Sequence, residues 1–235
     1  MQTYQTVLLA AGQGRRMQAG RNKQFLSIAG DPLLLHTLRV FEEDSLCTEI
    51  LLVINKQEEA DIRRMLSSWH GLTPIRYVEG GKERQDSVRA GIRAGAESGD
   101  GSGLVFIHDA ARPFVRQEQL HRLAVRTAEH GAAILAVKVK DTVKEVRDGI
   151  IEKTTDRSLL WGAQTPQAFR YEVILDAHQA AEDGEWIGTD DASLVERNGG
   201  SVAIVEGDYE NFKVTTPEDL VFAEAVIRYR KEALE

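Results

Sequence analysis

Apolar positions along the chain follow two alternating patterns. Short unbroken runs, "TVLLAA" at 6–11, "EILLVI" at 49–54, "PIRYVE" at 74–79, "LVFIHD" at 104–109 and "AAILAVKV" at 132–139, have the length of buried strands. Between them, "LLLHTLRVFEE", "KQEEADIRRMLSSW", "RQDSVRAGIRAGAES" and "QEQLHRLAVRTAEH" set apolar residues at helical spacing beside charged ones, as crossover helices do. Strand and helix in turn predict an α/β fold with a largely parallel sheet covered on both faces. Ligands of such a sheet bind outside the carboxyl ends of its strands.

The alternation stops at "DTVKEVRDGIIEKTT", where Asp148 and Gly149 separate two short β-prone runs. Asp-Gly between such runs marks a hairpin with a type I′ turn. Two strands with so little apolar surface are poorly stable alone, so the hairpin is expected to project and rest against a second copy of the chain. Beyond it the pattern predicts helices at about 170–183 and 190–198, strands at "SVAIVEG" and "NFKVT", and a loop over "TTDRSLLWGAQTPQAF". A last helix should open at "TTPEDL", with Thr216 as N-cap, Pro217 at the first helical position and Asp219 completing a capping box.

With 235 residues, 42% of them hydrophobic, the chain suits one domain over 1–235, with the arm at about 139–158 as an appendage. A formal net charge of −8 is the wrong sign for a protein that coats nucleic acid, so any anion site must be local. Cys47 is the only cysteine, which removes a disulfide framework and a cysteine-based zinc site. No apolar run approaches the roughly 20 residues of a membrane span, and "MQTYQTV" lacks the regions of a signal peptide. A cytoplasmic protein with no membrane partner is expected.

The loop after the first strand reads "AAGQGRRMQAGRNK". Gly12 and Gly14 are followed by Met17 where a dinucleotide fingerprint has its third glycine, and no Walker phosphate loop occurs. What remains is a glycine turn whose N–H groups can approach a phosphate, flanked by Arg15, Arg16 and Lys23. Taken alone, it serves equally as a turn with solvated charges. Asp109 ends a strand, where an acid can hold Mg²⁺ against nucleotide phosphates or pair with Arg112. His108 beside it is expected to be packed. In "VEGGKERQDSV", Gly80, Gly81 and Ser87 can read a base or a ribose, or simply turn the chain into a helix. Arg157, Thr165 and Lys213 fall in later segments with no partner evident from the sequence.

Taken together, "LLAAGQGRRM…KQF", "EGGKERQDSV", "HDAARPF", "DTVK", "QTPQAF", "TDDASL" and "FKVTTPEDL" resemble one family, in order and spacing, over essentially the whole chain. It is the 2-C-methyl-D-erythritol 4-phosphate cytidylyltransferases of the non-mevalonate isoprenoid pathway. The resemblance implies a three-layer, Rossmann-like nucleotidyltransferase fold with a mostly parallel central sheet and a projecting β-hairpin arm. It also implies a reaction of CTP with methylerythritol phosphate that releases pyrophosphate, with Mg²⁺ as cofactor.

By the same resemblance, the backbone of Ala10, Ala11, Gly12 and Gly14 holds the nucleotide, Gly81, Lys82 and Ser87 surround the cytosine, Ala110 lies near the ribose, and Asp109 faces the metal. Arg16 and Lys23 match residues that stabilise the transition state, and Arg157 and Lys213 match those that position the acceptor's phosphate. Arg112, Thr142, Thr165 and Thr189 are further candidates at the acceptor. The family often has an acid where Lys82 stands, so only a backbone role is expected there. In the family the arm pairs two subunits and the counterpart of Arg157 reaches the neighbouring site, which implies a homodimer. The nearest rival, a ribitol or other alditol phosphate cytidylyltransferase, has "LAGG" and "DAVR" where this chain has "LAAG" and "DAAR". A non-catalytic nucleotide-binding relative would lack Arg16, Lys23, Asp109 or Lys213, and all four are present.

Overall fold

A computed structural model describes residues 2–12, 22–98 and 103–233. The first half contains β1 (Tyr4–Leu9), β2 (Ser27–Ile28), β3 (Asp31–Pro32), α1 (Leu33–Glu42), β4 (Cys47–Ile54), α2 (Glu59–Met65), β5 (Ile75–Glu79), α3 (Arg84–Ser98) and β6 (Leu104–Asp109). Then follow α4 (Gln117–His130), β7 (Ala132–Lys138), β8 (Lys144–Arg147), β9 (Ile150–Thr154), β10 (Trp161–Arg170), α5 (Tyr171–Asp183), α6 (Asp191–Arg197), β11 (Ala203–Glu206) and α7 (Pro217–Glu232).

Among the described residues, seven strands form one sheet in the order β11-β7-β10-β6-β1-β4-β5. All neighbours run parallel except β10, which is antiparallel to both β6 and β7. Side chains alternate between the two faces of a strand, and here both faces are covered. From β4, Ile50, Leu52 and Ile54 pack with Leu38 of α1, Ile62 of α2 and Leu123 of α4, while Leu51 and Val53 pack with Ile92 of α3, Ile174 of α5 and Leu194 of α6. This two-sided burial is why the strands read as unbroken apolar runs. A smaller cluster of Ile28, Leu33, Phe114, Val214 and Ala223 seats α7. Pro217 is at the start of that helix, and Asp219 Oδ2 accepts from Thr216 N at 2.9 Å, as the sequence predicts.

The hairpin forms as its turn residues dictate: Asp148 and Gly149 have φ of 50° and 79°, the pair of positive values that a type I′ turn needs. β8 and β9 belong to no larger sheet, and every residue in them is exposed.

Three segments differ from the sequence prediction. The stretch predicted as a loop contains β10, in the middle of the sheet. Pro166 disguises it, since a proline cannot donate to a ladder. The pairing with β7 shifts register between Ala163 and Gln167, so that Pro166 falls at the irregularity. Second, "NFKVT" pairs with no strand, although Val214 N donates to Ala111 O at 2.8 Å. Third, the helix predicted from residue 56 opens with a 3₁₀ turn, Lys56–Glu58, and its α-helical part ends at Met65.

Candidate active site

Four adjacent strands, β5, β4, β1 and β6, end side by side, and the loops after them line a cleft of about 1010 Å³. The expected location outside the carboxyl ends of the strands is therefore occupied by a cleft.

One wall is the turn between β5 and α3. Gly80 N donates to Ile54 O at 2.8 Å, and Ser87 Oγ accepts from Gly81 N and donates to Glu83 O, both at 3.1 Å. A Cβ on Gly80 would lie 2.6 Å from that of Ala11, and one on Gly81 would lie 2.2 Å from that of Asp86. Only glycine lets this turn approach the end of β1 and fold back on its own helix. Ser87 thus closes the turn that presents Gly81 and Lys82 to the cleft.

The floor is Asp109, with three cations around it. Lys213 Nζ lies 3.0 Å and Arg112 Nε 3.2 Å from Oδ2, and Arg84 Nε lies 4.0 Å from Oδ1. Burial opposes ionisation of this carboxyl, but Lys213, Arg84 and Arg112 outweigh it and hold Asp109 well below the usual carboxylate range. Arg84 is itself fixed by the buried Asp191, at 2.7 Å from Nη2. Lys23 reaches the same cleft from the short helical turn Lys23–Phe25, its Nζ donating to Val214 O at 3.2 Å.

Behind Asp109 runs a chain of hydrogen bonds through the fully buried His108. Its Nε2 faces Arg112 O at 2.9 Å and its Nδ1 faces Thr165 Oγ1 at 3.0 Å. A carbonyl can only accept, so Nε2 carries the proton and Nδ1 accepts from the threonine hydroxyl. That hydroxyl accepts in turn from Asp109 N at 3.1 Å. Burial pushes the His108 imidazole down to about 4, which keeps it in this neutral form at neutral pH. As predicted, the histidine is packed.

The sequence profile of the family described as IspD, 2-C-methyl-D-erythritol 4-phosphate cytidylyltransferase, matches residues 4–229. The chain belongs to that family. Its relative of that name from Bacillus licheniformis is 51% identical over 228 residues, which is 97% of both chains. Another, from Geobacillus kaustophilus, is 51% identical over 227 residues, 97% of this chain and 98% of its own. The crystal structure of 4-diphosphocytidyl-2C-methyl-D-erythritol synthase from Anaerococcus prevotii matches with a TM-score of 0.84 at 33% identity, over 97% of this chain and 96% of that one.

Of the residues that the cytidylyltransferase resemblance points to, Ala11, Gly12, Lys23, Gly81, Lys82, Ser87, Asp109 and Lys213 line the cleft. Gly14 and Arg16 lie outside the described residues. Ala10 and Ala110 are buried in the core behind it. The N–H of Ala110 goes to Leu9 O and its carbonyl accepts from Thr37 Oγ1. Arg112 is held between Asp109 and Asn211 O. Thr165 is buried in the chain just described, whereas Thr142, Arg157 and Thr189 are exposed and do not line this cleft. Arg157 donates to Lys140 O at 2.6 Å, at the base of the arm.

Arg84 is a cleft residue beside Asp109 that the sequence reading does not single out. At the start of an amphipathic helix it looks like an ordinary solvated charge, and its partner Asp191 is 107 positions away.

Among the described residues there is no cluster of three acidic, histidine or cysteine side chains for a metal. Magnesium in phosphoryl-transfer sites is commonly held by one or two carboxylates together with substrate phosphates. Asp109 suits that arrangement. Its Oδ2 is engaged by Lys213 and Arg112, and among the described residues Oδ1 has the longer contact to Arg84.

Proposed function

We propose that the chain transfers CMP from CTP to 2-C-methyl-D-erythritol 4-phosphate, giving 4-diphosphocytidyl-2-C-methyl-D-erythritol and pyrophosphate. The observation that carries this reading is the group of Lys213, Arg112 and Arg84 around Asp109, on the floor of a cleft whose wall is a glycine turn. A phosphate oxygen of the acceptor attacks the α-phosphorus of CTP, a new P–O bond forms, and the bond to the β-phosphate breaks with pyrophosphate leaving. The attacking oxygen is already anionic near neutral pH, so no general base is needed. The barrier lies in bringing two anions together and in the charge that builds on the α-phosphate and the leaving group.

In this reading the ends of β1 and of the β5–α3 turn hold the nucleotide, Lys23 and Arg16 stabilise the transferring phosphate, and Lys213 with Arg157 position the acceptor. Thr189 and Thr142 contact the acceptor, and Asp109 would hold Mg²⁺, which supplies charge neutralisation on the triphosphate when bound. The whole chain acts as one cytidylyltransferase unit, with the arm at about 139–158 pairing two copies so that Arg157 serves the partner's cleft. The apolar side chains left open on that arm support the pairing. A cytoplasmic setting accords with the buried free thiol of Cys47.

Pyrophosphate release with CTP, Mg²⁺ and methylerythritol phosphate tests the reaction. Turnover with ribitol 5-phosphate faster than with methylerythritol phosphate would overturn the choice of acceptor.

A further inference from the structure

The first turn of α3 does more than close the nucleotide turn. It also holds the segment 186–190, which carries Thr189. Gln85 Nε2 donates to Trp186 O at 3.2 Å, and its Oε1 accepts from Gly188 N at 3.0 Å. One side-chain amide therefore makes the pair of bonds that a neighbouring strand would offer to residues 186 and 188, on a stretch that belongs to no sheet.

The other flank is anchored separately. Gln167 Nε2 donates to Asp190 Oδ2 at 2.8 Å, and its Oε1 accepts from Asp191 N at 3.1 Å and Ala192 N at 3.0 Å. Arg84, adjacent to Gln85, binds the side chain of Asp191. Thr189 is thus an exposed residue held between two anchors, and the nearer one is supplied by the helix turn that also carries Ser87.

We propose that Gln85 is a positioning residue for the acceptor: it touches neither substrate, and it sets Thr189 in place through the backbone of residues 186 and 188. The inference rests on the reading above of Thr189 as an acceptor contact. It makes the nucleotide turn and the acceptor loop one mechanical unit, built on the first turn of α3. Only an amide of this length serves both bonds, because a carboxylate cannot donate to Trp186 O, asparagine is one methylene short, and leucine fills the volume without either bond.

The test is steady-state kinetics on the full-length enzyme carrying Gln85→Leu, Thr189→Ala or both. Loss of two neutral hydrogen bonds should raise KM for methylerythritol phosphate about 10-fold in Gln85→Leu, with KM for CTP within about twofold and kcat nearly unchanged. If Gln85 acts through Thr189, the double variant should be little worse than Thr189→Ala alone. Gln85→Glu keeps the bond from Gly188 N and should show a smaller rise in the same KM; it serves as the probe if the leucine variant does not fold. An unchanged acceptor KM in Gln85→Leu, beside a raised one in Thr189→Ala, overturns the inference and leaves the reading of Thr189 standing. No effect of Thr189→Ala overturns that reading and the inference with it. An equal rise in both KM values, or additive effects in the double variant, overturns the positioning role.

Discussion

Asp109 carries one negative charge among three positive ones, so the cleft floor has a local surplus of positive charge in a protein of net charge −8. That surplus suits a phosphate arriving at a site already loaded with a triphosphate, since Coulomb repulsion between the two anions must be offset locally. Lys213→Ala is expected to lower turnover on the order of 100-fold or more, because an acceptor phosphate that is no longer held in line loses its alignment for attack, while calorimetric CTP binding stays nearly intact. Full turnover in that variant would refute the role given to Lys213. Thr165 acts at one remove. Its hydroxyl hydrogen is committed to His108 and its oxygen accepts from Asp109 N, so Thr165→Val leaves buried polar groups unpaired and should cost about 1–3 kcal/mol, read as a lower melting temperature. Asp109 and Lys213 stand out from sequence motifs, whereas the hydrogen bond that anchors the Asp109 backbone comes from a threonine 56 positions away, a pairing no local pattern reveals.

At the scale of elements, the arm is the clearest case of local determination. Asp148-Gly149 favours a type I′ turn, and the flanking residues pair with each other in the register that turn sets. The consequence is exposed apolar surface: Val146, Ile150 and Ile151 are 57%, 72% and 58% exposed. Replacing Ile150 and Ile151 together by lysine is expected to yield monomers in sedimentation and to lower turnover in parallel, because Arg157 would no longer reach a partner's cleft. A monomer with full activity would overturn the proposed arm contact. β10 is the opposite case. Its polar residues and Pro166 argue against a central strand, yet Gln164, Thr165 and Gln167 are all buried with partners. Burial between β6 and β7 overrides propensity there, and it brings Thr165 to His108 and Gln167 to the start of α6.

For the whole molecule, the buried His108 ties stability to pH. Its imidazole is held at about 4 in the fold against 6.5 for an unburied histidine, so the unfolded chain takes up a proton first as the medium is acidified. Stability should therefore fall as pH drops from about 6.5 towards 4, by an amount on the order of 3 kcal/mol. Asp109, held low by its cations, adds a further loss as the pH falls below the unfolded carboxylate value. Urea denaturation at pH 7 and pH 5 checks this, with a lower midpoint expected at pH 5; equal midpoints would contradict it.

Local sequence alone determined the strands and helices, through their periodicity, and the hairpin and the cap of α7, through their turn and cap residues, since each depends on neighbours a few positions apart; the alternation of strand and helix then implied a mostly parallel sheet. The motifs also pointed to most of the cleft, because glycines and charges at strand ends keep their meaning in any parallel α/β sheet. Only the tertiary structure decided the place of β10, the bond of Arg84 to Asp191, the hold of Thr165 on Asp109 and the grip of Gln85 on the loop of Thr189. Each of these joins side chains far apart in the chain, and such a pair forms only where the packed layers bring its members within hydrogen-bonding distance and away from water.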